Sequence, residues 1–205
     1  MTIDQYGITL KRLTLDDIEL VRTWRNTPEI RKTMNFQEHI TPEMQLNWFH
    51  SINNPLNYYF LIIYNNKAIG VINAKNISLE HGTAEGGIFV WEQQLENDLI
   101  PVYASLTLMN AAFKKLSFFK KFIIQVRKDN PKALTYNAIL GYTINEQLSS
   151  ETSYLLELSK EDFLEHTEKL NNVAQKLTED YALPRMNGIY DSQIHLSDFQ
   201  TIFNP

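Results

Sequence analysis

Glu85-Gly86-Gly87 sets a carboxylate beside two adjacent glycines inside a run of strand character, Thr83–Val90. A carboxylate in apolar surroundings holds a proton more readily and can accept one directly or through water. Adjacent glycines within a strand mark a bulge or a close approach of another group to the backbone. His81, just ahead of the same strand, is a second candidate base. Arg25 and Arg31 offer forked donors suited to a phosphate or carboxylate. Between Lys114 and Lys132 there are seven Lys/Arg and one acid, Asp129. Such a basic stretch on a chain of net charge −5 suggests a small polyanionic ligand, while a solvated helix end is the plainer reading. The five histidines show no metal-ligand spacing and cysteine is absent, so no metal is expected.

These residues need elements to hold them. Ile8–Leu13 alternates loosely and reads as a strand, and Thr14 with Asp17 forms the start of a capped helix. Thr41-Pro42-Glu43 opens another helix. Tyr58–Tyr64 and Lys67–Ala74 read as strands around Asn65-Asn66, a turn pair tolerant of positive φ. Tyr103, Leu106, Met109, Ala112, Phe113 and Leu116 have the spacing of one buried helix face. Phe122–Val126 is a short apolar strand, and Asn130-Pro131 starts a helix that Gly141 ends. A strand at Tyr154–Leu158 and a helix from Ser159 or Lys160 to about Tyr181 follow. Helix–strand–helix–strand order predicts a layered α/β domain with its ligand at the strand ends. Residues 182–205 lack periodicity and are expected to form an appendage.

Composition narrows the function classes. The chain has 205 residues, 43% apolar and 21% charged, ordinary for one globular domain. No run of 18 apolar residues predicts a membrane span, and no signal peptide is evident at the N-terminus. With no cysteine, these features fit a cytoplasmic protein. The acidic balance argues against nucleic-acid binding.

The run from Ala112 to Val126, then Asn130, Ala133 and Gly141-Tyr142, resembles the C-terminal half of the GNAT-superfamily N-acetyltransferases. Upstream, Trp24-Arg25-Asn26, Ile30-Arg31-Lys32, Met34, and Ile40 to Phe49 resemble one branch of that family. That branch acetylates nucleotide-linked amino sugars or ribosomal-protein N-termini. Together the likeness covers about Ile8 to Tyr142.

The resemblance implies a GNAT-like acyl-CoA N-acyltransferase fold: a mixed, bent sheet of six or seven strands, about four helices and a C-terminal extension. Residues 1–160 would be the catalytic domain and 161–205 the extension. Acetyl-CoA would be the co-substrate and a small-molecule amine or peptide N-terminus the acceptor, with a homodimer left open. It also implies that Gly87, Ile88, Phe89, Val90, Asn130, Ala133 and Asn137 hold the cofactor. Trp24, Arg25, Asn26 and Arg31 would roof the acceptor. Glu85, then His81, would be the base. Tyr136 is a substitute for the family's thiolate-protonating Tyr, since Asn137 stands at that position and Tyr136 lies about 100° around the helix. Gln45 stands where relatives often carry His.

One departure matters. The family's Q/R-x-x-G-x-G/A phosphate loop has no counterpart: residues 91–102 contain no glycine and three carboxylates, Glu92, Glu96 and Asp98. Asp98 is expected to cap the following helix, where a phosphate would sit. Two rival readings follow, a non-catalytic binding module and an enzyme using another acyl donor.

Overall fold

The computed structural model describes residues 1–95 and 98–188. Among them, nine strands form one sheet in the order β7-β8-β6-β5-β4-β3-β2-β1-β9. The strands are β1 (Thr2–Gln5), β2 (Ile8–Arg12), β3 (Tyr58–Tyr64), β4 (Lys67–Ser78), β5 (Thr83–Val90), β6 (Lys121–Arg127), β7 (Thr143–Asn145), β8 (Ser153–Ser159) and β9 (Arg185–Asn187). The α-helices are α1 (Ile18–Arg25), α2 (Pro28–Arg31), α3 (Pro42–Ile52), α4 (Ile100–Met109), α5 (Pro131–Ile139) and α6 (Lys160–Thr178).

The expected count of six or seven strands is too low. The additions β1, β7 and β9 are three or four residues long, too short to show alternation in the sequence. β1 exists because Tyr6 and Gly7 both take positive φ, 54° and 73°, and close a two-residue hairpin onto β2. β9 then pairs with β1, so part of the expected appendage is built into the sheet. The rest of that appendage, 189–205, lies outside the described residues. α2 was also too short to be read from periodicity.

Two cores occupy opposite faces. The larger joins α4, Phe113, Phe163 of α6 and the sheet residues Leu10, Phe60, Ile62 and Phe122. The smaller joins α1, α2 and α3 to Leu61, Val71 and Trp91. α4 corrects the expectation of a one-faced helix: nearly all of Ile100–Met109 is buried, as for a helix apolar on all sides. It runs on into a π-helical turn, Asn110–Leu116.

The break that makes a site lies between β5 and β6. Every other neighbouring pair in the sheet is antiparallel. β5 and β6 are parallel, and their register covers only Thr83↔Lys121 to Glu85↔Ile123. From Gly86 onward β5 keeps its partner β4 on one side and has no strand on the other.

Candidate active site

The parted strands open into a cleft of about 800 Å³, walled by β5, β6, α5 and the segment from α1 to α3. Backbone alternation decides what β5 presents there. The Trp91 N–H donates to Ile69 O at 2.9 Å, so Trp91, Phe89 and Gly87 turn their backbone groups toward β4. The amides and carbonyls of Ile88 and Val90 therefore face the cleft, with no strand to satisfy them. Close neighbours on both faces of the strand leave little room for a side chain at its glycines. A Cβ on Gly86 would stand 3.2 Å from Ile124 Cγ2 and 3.5 Å from the Tyr142 hydroxyl. A Cβ on Gly87 would stand 2.9 Å from Asn73 Oδ1.

Facing this edge is α5. Asn130 caps it by accepting from the Ala133 N–H at 3.1 Å. Asn137 is buried and donates to Ala133 O at 2.7 Å. Tyr136 donates its O–H to Pro101 O at 2.8 Å, and Ser105 Oγ lies 2.7 Å from the Tyr136 hydroxyl oxygen. With the phenol proton committed to Pro101, Ser105 donates to Tyr136. Burial pushes both the Tyr136 and Tyr142 phenols up, so each remains a proton-bearing group at neutral pH.

On the α1–α3 side, register places Tyr59, Asn73 and Gly87 opposite one another on β3, β4 and β5. Burial, then the nearby Glu85 charge, push the Tyr59 phenol up to about 12. Asn73 is buried and its amide donates to Glu85 O at 3.3 Å. Glu85 lies one step along the same face. Its carboxylate is 2.6 Å from Lys75 Nζ and accepts from Asn76 Nδ2 at 2.9 Å. Asn76 is delivered by a bulge in β4, where its φ is 50°.

The residues singled out in the sequence divide clearly. Gly87, Ile88, Phe89, Val90, Asn130, Ala133, Tyr136, Asn137 and Arg25 all line the cleft. Glu85, His81, Trp24, Asn26 and Arg31 are not in its lining. Glu85 sits at the rim with Lys75. His81 is exposed in the β4–β5 turn, at the closed end of the β5–β6 pairing. Trp24 stacks on Trp91 at 5.6 Å within the smaller core. Asn26 clamps the roof: it donates to Ile40 O and accepts from Ile40 N–H, both at 2.8 Å. Arg31 lies on α2, partly exposed. Asn73, Tyr59, Ser105 and Gln45 line the cleft and were not chosen as site residues. Asn73 carried a readable signal, a lone amide within the apolar run Ile69–Ala74.

The helix start at α4 also differs from expectation. Its N-cap is Leu99, which makes no side-chain cap. Among the described residues Asp98 accepts from the Leu99 N–H alone, at 2.6 Å. Pro101 has no N–H to offer, so the end of α4 is poor in donors for a phosphate. Glu92 pairs with Lys67 at 2.7 Å, and Glu96 lies outside the described residues. The basic stretch is dispersed as well. Lys121 pairs with Glu157, Lys115 donates to Pro184 O, and Lys114 lies over the Phe163 ring. Only Arg127 and Lys132 of that stretch reach the cleft.

The acetyltransferase (GNAT) domain family matches the chain over residues 8–143. The protein is a GNAT acetyltransferase. Solved structures agree on the fold. The nucleotide-linked sugar GNAT FdhC, in its apo form, superposes with a TM-score of 0.69 at 17% identity, over 83% of this chain and 96% of that one. The spermidine N-acetyltransferase of Vibrio cholerae, in complex with CoA and spermine, gives 0.65 at 16%, over 78% and 99%. A domain from Methanocaldococcus jannaschii gives 0.63 at 22%, over 74% and 97%. No curated protein matches the sequence. Among the described residues no group of His, Asp and Glu could hold a metal, and no helix is long and apolar enough to cross a membrane.

Proposed function

We propose that this GNAT protein moves the acetyl group of acetyl-CoA to a primary amine in the β5–β6 cleft. A nucleotide-linked amino sugar is the favoured acceptor and a peptide N-terminus the next. The observation that carries this reading is the open edge of β5. Ile88 and Val90 offer N–H and C=O groups at strand spacing to the amide-bearing arm of the donor, and α5 walls the other side.

The chemistry needs three services from the chain. The amine must lose a proton, and Glu85 takes it through water from the Tyr59–Asn73–Gly87 row, with Lys75 beside it. The amine nitrogen then attacks the acetyl carbon, forming C–N. The Ile88 amide donates to the carbonyl oxygen as charge develops there. The C–S bond breaks, the thiolate takes the proton of Tyr142, still protonated at neutral pH, and the second proton shed by the nitrogen restores that phenol. Residues 1–160 supply all of these groups, with the C-terminal part as a supporting extension. The setting we favour is cytoplasmic, where acetyl-CoA is available.

Calorimetric titration tests the reading. Acetyl-CoA and free CoA are expected to bind in the micromolar range and to raise the melting temperature by mass action. No heat and no thermal shift at millimolar acetyl-CoA would favour the non-catalytic module, with the glycine-free loop as its mark.

A further inference from the structure

At the roof of the cleft, Arg25 Nη1 and Gln45 Nε2 are both buried and have no hydrogen-bond partner among the described residues. Gln45 is 3% exposed, on α3, and Arg25 is the last residue of α1, which packs against α3. Both line the cleft. A buried donor without an acceptor is costly, and a buried unpaired guanidinium more so. Burial lowers the Arg25 pKa, yet a guanidinium keeps its charge at any physiological pH. The Phe89 ring, 5.8 Å from the guanidinium carbon, gives it a surface to lie against and no hydrogen bond. Two such donors on the roof, beside Met34, Phe36, Met44 and Trp48, suit an anionic group joined to a carbon skeleton.

The charge of the cleft agrees. Among the cations of its described lining, Lys75 pairs with Glu85 and Arg127 with Asp129, so the charge an anionic acceptor meets at the roof is that of Arg25.

We propose that the acceptor is an amine that also carries a carboxylate or phosphate, and that Arg25 and Gln45 bind that anionic group. This rests on the acetyl-transfer reading above and adds the residues that hold the acceptor's anionic group and the requirement that it carry one. The anion satisfies both donors, and the apolar wall takes the carbon skeleton between anion and amine. Specificity follows, since an acceptor without the anion leaves the Arg25 Nη1 and Gln45 Nε2 donors unengaged.

The test uses matched amines with acetyl-CoA: 6-aminohexanoate against 6-aminohexanamide, and glucosamine 6-phosphate against glucosamine, with spermidine as the cationic comparison. The anionic member of at least one pair is expected to show a kcat/KM at least about tenfold higher, and which pair responds separates carboxylate from phosphate. In Arg25→Met the anionic member should lose at least about tenfold more than the neutral member. A binding arm needs no turnover: 6-aminohexanoate or inorganic phosphate should raise the melting temperature of the wild type and not of Arg25→Met. Equal turnover of both members in both pairs, or a preference for spermidine, overturns the proposal. So does an Arg25→Met protein that melts lower and loses both members equally, since Arg25 would then be structural. If no amine is acetylated while the anion still stabilises only the wild type, the acetyl-transfer reading fails and the anion site stands.

Discussion

Asn171→Leu is expected to lower the unfolding free energy by about 2–4 kcal/mol. Asn171 sits 4% exposed on α6 and joins three elements at once. Its Oδ1 accepts from the Tyr6 hydroxyl at 2.9 Å and from Asn110 Nδ2 at 2.8 Å. Its own amide donates to Thr167 O at 2.9 Å. Tyr6 closes the β1–β2 hairpin, and Asn110 begins the π-helical turn after α4. Leucine keeps the volume and removes the acceptor, so two buried donors lose a partner at about 1–3 kcal/mol each. For a chain of this size the melting temperature should fall by roughly 5–15 °C. Tyr6→Phe removes a donor and leaves the acceptor engaged by Asn110, so it should cost only about 1 kcal/mol. Thermal and denaturant unfolding measure both. An Asn171→Leu protein as stable as Tyr6→Phe would show that the network does not tie α6 to the hairpin.

Glu85→Gln is the change expected to hurt turnover most. A side chain that accepts a proton in the transition state contributes about 10²–10⁴-fold, and the ion pair with Lys75 places this case near 10². Glutamine preserves size and the bond from Asn76 while removing the base. The loss should therefore fall on kcat, with acetyl-CoA affinity unchanged. Steady-state kinetics with a calorimetric titration of the variant separate the two. A fall of less than threefold in kcat would move the proton path to another group on the Tyr59–Asn73 row.

Long periodic elements were legible in the sequence, and their caps with them. Asn130 and Thr41 cap α5 and α3 as their residue types predict, and Asn65-Asn66 makes a positive-φ turn. The place where β5 loses its second neighbour was legible too, because Gly86-Gly87 is an exception to strand composition. What escaped was long-range. The 3-and-4 spacing that suggested one buried face of α4 also fits a helix enclosed on all sides, since Ser105 and Thr107 are buried as well. Glu85 reads as a base from its position, but its pairing with Lys75 and Asn76 depends on a bulge that composition does not announce. Trp24 and Asn26 share a motif with Arg25, yet helical rotation sends one to the core, one to the loop backbone and one to the cleft. Gln45 could be seen as an unusual residue. That its amide is buried without a partner required the packed structure.

The central claim is that the donor lies along the free edge of β5. Amide hydrogen exchange with and without acetyl-CoA measures it residue by residue. Slowed exchange at the Ile88 and Val90 amides, with Phe89 and Gly87 little changed because β4 already protects them, is the expected result. Binding that leaves Ile88 and Val90 unprotected, or protects residues away from the β5–β6 cleft, would contradict it.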